Sequence, residues 1–128
     1  MYKIEKDKCP AFVNELIDAI NDEKLLKISR EDRDDHLEFL ETMKASAVQY
    51  AKMRAQWEFM NLDEKTDSDP VRTRLHDTFI RDLKIFLRHL ARFNARAEKL
   101  LGEVESQDRK TTGDIACYIT YTIAVSNR

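Results

Sequence analysis

Apolar residues recur every three or four positions along most of this chain, and that recurrence predicts helices. The strongest instance lies between Asp69 and Gly102. Val71, Leu75, Phe79, Leu83, Phe86, Leu90, Phe93, Ala97 and Leu101 fall on one side of a helical wheel. Arg74, Arg81, Lys84, Arg88, Arg92, Arg96 and Lys99 gather on the other, so one face suits a core and the other suits water or an anion. Asp69 as a cap, Pro70 at the first helical position and Gly102 just past the last predict a helix over about 70–101.

Upstream, Pro10 fits a helix start, and Phe12, Val13, Leu16, Ile17 and Ile20 repeat at helical spacing to about Lys24, with Leu25, Leu26 and Ile28 extending or closing the segment. Ser29-Arg30-Glu31-Asp32 resembles a capping box, with acidic residues where the helix dipole favours them. No Gly or Pro interrupts the chain from there to Leu62, which predicts a second long helix over about 29–62. Its apolar arc is wide. One stripe carries Leu37, Leu40, Met43, Ala47, Val48, Ala51, Ala55 and Leu62, and beside it run Phe39, Tyr50, Met53, Trp57 and Met60. Such a helix needs neighbours on two sides. Asp63 to Asp69 reads as a turn. After Gly102 the chain is polar to Lys110, and Thr111-Thr112-Gly113-Asp114 offers another N-cap. Ile115 to Ser126 has both helical and alternating character, and helix is the reading, because a lone strand would leave its backbone groups unpaired. The expected fold is all-α: one domain over residues 1–128, an antiparallel four-helix bundle with two long central helices and shorter first and last ones.

Unequal lengths carry the functional expectation. At about 1.5 Å per residue the central helices reach roughly 50 Å, and the outer two only about half that. With the first helix along Ser29 to Ala47 and the last along Ile85 to Gly102, the opposite end would be a bare two-helix stalk. It would show Tyr50, Met53, Trp57, Met60 and Ile80 to water, an apolar patch that monomers seldom expose. Pairing of two stalks by two-fold symmetry would cover it, so a homodimer is expected.

Composition narrows the field further. The 128 residues include only two Gly and two Pro, and 36% are charged, which favours a compact helical protein over a β-fold. The net charge of −2 gives no global attraction to nucleic acid or acidic membranes, but the chain is polarised. Residues 70–101 hold eight Lys or Arg against three Asp or Glu, and residues 29–69 hold six against eleven. Arg81, Lys84, Arg88, Arg92, Arg96 and Lys99 are therefore the candidate residues for a nucleic acid or an acidic partner, although no aromatic side chains interleave with them for base stacking. Cys9 and Cys117 stand far apart without CxxC or Cys/His spacing, which points to free thiols. With no secretory leader and no run of about 18 apolar residues, a cytoplasmic setting away from the membrane is expected.

Catalytic vocabulary is sparse. His76-Asp77 is the dipeptide of HD-type phosphohydrolases, whose metal-held water would here call on His36, His76 and Asp77. The bundle places His36 and His76 near opposite ends. Arg30 and His36 have the loose Arg-to-His spacing of HEPN-type ribonucleases, but at the start of the second helix rather than on a late one. Neither fragment amounts to a family resemblance. No Gly-rich phosphate loop and no Ser/His/Asp arrangement stand out. The expectation is a non-enzymatic interaction or assembly module acting as a homodimer, with no cofactor, metal or catalytic residue. Nucleic-acid binding is the first alternative, and a metal-dependent phosphohydrolase or ribonuclease the second.

Overall fold

The computed structural model describes residues 11–20 and 29–126. Pro10, Cys9, the charged lead-in and the stretch containing Lys24, Leu25, Leu26 and Ile28 lie outside the described residues. Every regular element among those described is a helix: α1 (Ala11–Ile20), α2 (Arg30–Trp57), α3 (Leu62–Leu90), α4 (Ala95–Glu105) and α5 (Arg109–Ser126). None of the described helices is long and apolar enough to cross a membrane.

The expected four-helix bundle with central helices over 29–62 and 70–101 is corrected at both turns. Ser29 does cap α2, accepting the Asp32 N–H at 3.3 Å. The helix then ends at Trp57. The segment read as a turn begins α3 instead, because Asn61 and Glu64 form a reciprocal capping box: Asn61 Oδ1 accepts the Glu64 N–H at 2.9 Å, and Glu64 Oε1 accepts the Asn61 N–H at 3.1 Å. With two free donors satisfied there, the helix carries through Pro70, which sits inside it and supplies no N–H for the Thr66 carbonyl. Downstream, α3 stops at Leu90, and Asn94 caps α4 by accepting the Arg96 N–H at 3.0 Å. Gly102 consequently lies inside α4, with no left-handed backbone. The last helix starts earlier than Thr111. Asp108 Oδ1 accepts the Thr111 N–H at 2.8 Å, a bond that holds its carboxyl below the usual carboxylate range.

The break after Leu90 decides the packing. Arg109 Nη2 donates to Thr73 Oγ1 at 2.8 Å, although Thr73 precedes Leu90 by about 25 Å of helix. The α4 segment therefore returns the chain toward the α2–α3 turn, packing Ala97, Leu100 and Val104 into the core as it goes, and α1 rests against it. From there α5 runs back along α2. Gly113 meets Tyr50 and Arg54, and Ile123 shares a groove with Glu41, Lys44 and Val48. The wide apolar arc of α2 thus finds both its neighbours, α3 and α5, in its own chain. Phe79, Leu83, Phe86 and Leu90 from α3 and Met43 and Ala47 from α2 are fully buried together with Ile115 and Ile119.

The bare stalk is overturned by this route. The last helix starts against Thr73 and His76 rather than along Ile85 to Gly102, and it covers the end of α2 that the length argument left open. It can come that close because residue 113 is glycine. A Cβ there would stand 2.7 Å from the Tyr50 hydroxyl and 2.8 Å from Arg54 Nη1. At Gly102 a Cβ would meet nothing within 4 Å. Gly102→Ala should therefore stabilise the fold by about 0.5–1 kcal/mol through helix propensity. Gly113→Ala should destabilise it by about 1–3 kcal/mol through overpacking. Urea unfolding of the two variants measures both, and equal shifts would contradict the close approach at Gly113.

Candidate functional site

At the turn between α2 and α3 stand the two most exposed large apolar side chains among the described residues. Phe59 is 87% exposed and Leu62 79%. Backbone bonds from Phe59 N to Gln56 O (3.0 Å) and from Met60 N to Trp57 O (3.1 Å) close the turn that carries them. The indole of Trp57, at the end of α2, is half-buried. Lys65 Nζ sits 4.3 Å and the Arg72 guanidinium 4.8 Å from its ring centroid. Buried Trp57 Nε1 and Arg72 Nε make no hydrogen bond.

Of the residues expected at a partner interface, Tyr50 does not face out. It is 5% exposed and inside the core. Met53, Trp57, Met60 and Ile80 are half-buried, and Ile80 packs on the core. Phe59 was not singled out from sequence, where it lay inside the helix expected over 29–62, and Leu62 was assigned to the buried stripe of that helix. Only the position of the turn shows that both leave the core.

The expected basic face is present but partly neutralised. Arg81, Arg88, Arg92, Arg96 and Lys99 are exposed and Lys84 is half-buried. Arg81 Nε and Nη2 each lie 3.2 Å from Asp82 Oδ1, and Arg92 Nη2 lies 3.7 Å from Asp32 Oδ1. Asp82 is itself buried and accepts the Ser46 hydroxyl of α2, so it ties the two long helices together. Beside this face His76, Asp77, Ile80, Arg81, Lys84 and Arg88 line a groove of about 370 Å³. All six belong to α3, so the groove is one flank of a helix rather than an enclosure.

The three histidines divide between two places. His36 and His89 stack with centroids 5.9 Å apart, and His89 is edged by Phe39 at 5.1 Å and Phe93 at 5.5 Å. His76 lies on the other side of Phe79 and Leu83. Its Nε2 is 2.7 Å from Thr112 Oγ1, and its Nδ1 is 3.2 Å from Asp77 Oδ1. His36 is thus not brought to His76 and Asp77, and no group of three or more His, Cys, Asp or Glu among the described residues could hold a metal. Arg30 is exposed and His36 buried, so that pair does not converge on one surface either.

Thr112, His76 and Asp77 do form the hydroxyl–imidazole–carboxylate order of a nucleophilic relay, which no sequence spacing announced. With the ring proton on Nδ1 facing Asp77, Nε2 accepts the Thr112 hydroxyl. The hydroxyl of this trio is enclosed: Thr112 is 5% exposed, and its Oγ1 lies 3.0 Å and 3.2 Å from the Arg109 and Asp108 carbonyls. The trio fastens α5 to α3, as Arg54–Asp114 at 2.8 Å fastens it to α2. Other candidate nucleophiles are held neutral. Burial pushes the Tyr50 phenol up, against the opposing pull of Arg54, and pushes the Cys117 thiol up to about 11.

No protein-family model, curated protein or solved structure matches this chain.

His89 generates a pH prediction. Burial lowers its pKa below the ordinary 6.5, and Arg92 lowers it further against the pull of Asp35 and Asp32. Both ring nitrogens are buried and make no hydrogen bond. The unfolded chain then binds the proton more readily, so stability is complete above about pH 6.5 and falls as pH drops through and below that value. The melting temperature should decline from about pH 7 to about pH 5, and His89→Phe should flatten that decline. An unaltered slope in the variant would exclude His89 as its source.

Proposed function

We propose that this chain is a non-enzymatic helical assembly module that works in the cytoplasm by pairing with a second copy of itself. The observation that carries the reading is the exposure of Phe59 at 87% and Leu62 at 79%, together on one hydrogen-bonded turn that also holds the half-buried Met60. Single exposed apolar residues are ordinary, but large ones grouped on a projecting tip mark a contact surface. Burying each is worth roughly 1.5–3 kcal/mol before association costs. The chemistry inside the molecule points the same way. Its buried His36, His89, Tyr50 and Cys117 are engaged in packing, and His76, which borders the groove along α3, ties that helix to α5.

A second copy fits because the tip is acidic as well as apolar. Glu58, Asp63, Glu64, Asp67 and Asp69 surround it with Lys65 as the one basic residue over 58–69, whereas the far end of α3 and the start of α4 carry Arg88, Arg92, Arg96 and Lys99. Each copy therefore offers the charge that the other's tip requires.

Sedimentation of the full chain tests this directly. The wild type should sediment as a dimer at micromolar concentration. Phe59→Asp combined with Leu62→Asp should weaken the dimer at least 100-fold while leaving the far-ultraviolet circular dichroism unchanged, since neither side chain supports the fold. A wild type that stays monomeric across the concentration range would remove the reading.

A further inference from the structure

The outward surface of α3 has a pattern that neither the core nor the tip requires. Asp67, Val71, Arg74, Thr78, Arg81, Ile85 and Arg88 recur at alternating spacings of four and three residues. This is the period at which one helix lies along another. All of them are exposed except the half-buried Thr78, and they include Val71 at 37% and Ile85 at 36%. The helix is 29 residues, about 43 Å, so the stripe is a long unpartnered seam.

Charge orders that seam from end to end. Its first third carries Asp63, Glu64, Asp67 and Asp69, and its last third Arg81, Lys84 and Arg88. A parallel pair would set acid on acid and base on base. An antiparallel pair sets each acidic end on a basic one, with Val71 and Ile85 as the apolar spots between. A two-fold axis crossing near Thr78 sets Asp67 of each copy on Arg88 of the other and Val71 on Ile85, and it keeps nearly the whole helix in contact. The same register carries Phe59 and Leu62 of each copy to the α3–α4 corner of its twin, where Phe93 is half-buried beneath the Arg92 guanidinium at 5.3 Å.

We propose that α3 pairs antiparallel with the α3 of a second copy, the acidic first third of each lying on the basic last third of the other. This rests on the self-pairing proposed above and specifies its surface and direction.

Charge reversal with rescue tests it, read by sedimentation and with circular dichroism confirming the fold of every variant. Asp67→Lys and Arg88→Glu should each weaken the dimer about tenfold, because each reversal acts twice across the two-fold axis. An equimolar mixture of the two variants should recover wild-type affinity as a heterodimer. A chain carrying both substitutions should recover it alone, which a parallel pair would not allow. Raising the salt should weaken the wild-type dimer and leave the affinity less sensitive to either reversal. A dimer lost in Phe59→Asp/Leu62→Asp but indifferent to both reversals would overturn this seam while leaving the self-pairing intact. A monomer that instead binds a labelled oligonucleotide through Arg88 would overturn both.

Discussion

The closeness of α5 to α2 at Gly113 is the constraint on which the other features rest. α2 has an apolar arc too wide for one neighbour, and a single antiparallel helix such as α3 would leave Tyr50 and Ala51 in water. The last helix closes over them only where a residue without a side chain admits the Tyr50 hydroxyl and the Arg54 guanidinium. Polar ties then hold the seam. His76 meets the Thr112 hydroxyl, Arg109 meets Thr73, and Arg54 meets Asp114. Buried polar groups are costly unless paired, so these contacts also fix which way round the helix lies.

Because that seam is closed, the molecule's unspent surface is elsewhere. The end of α2 that would have been a stalk is covered from within, while the turn itself and the outer stripe of α3 stay uncovered. The turn is apolar because Phe59 and Leu62 fall where the helices have ended or only begun, outside either buried stripe. Acidic residues favour a helix N-terminus and basic residues a C-terminus, and α3 follows that rule at its ends, with Asp63 and Glu64 in its first turn and Arg88 and His89 in its last. One distribution thus stabilises the helix and gives its outer face a direction.

The histidines show how packing assigns roles that residue type leaves open. His89 is boxed by aromatic rings with its nitrogens unsatisfied, which makes it sensitive to protonation. His76, on the same helix, is fully occupied by a hydroxyl and a carboxylate. The relay-like order of Thr112, His76 and Asp77 is buried at its hydroxyl end, and there it ties α5 to α3.

The amino-acid order by itself determined that the chain is helical, that Ser29 opens a long helix, and that Leu40, Met43, Ala47, Phe79, Leu83, Phe86 and Leu90 face inward, because a 3.6-residue period of apolar side chains has one low-energy solution. For Ile115 to Ser126 it carried both helical and alternating patterns, and the helix chosen for want of a strand partner is what the structure shows. The turns were less legible. Asn61 with Glu64 and the lone Asn94 are short-range caps, and they outweighed the more conspicuous Pro70 and Gly102, which lie inside helices. Which residues meet across the chain was not legible at all. Thr112 and His76, Gly113 and Tyr50, and Ser46 and Asp82 are joined by no spacing rule. They meet only because the break after Leu90 turns the chain back, and a local pattern carries no information about where a returning helix will dock.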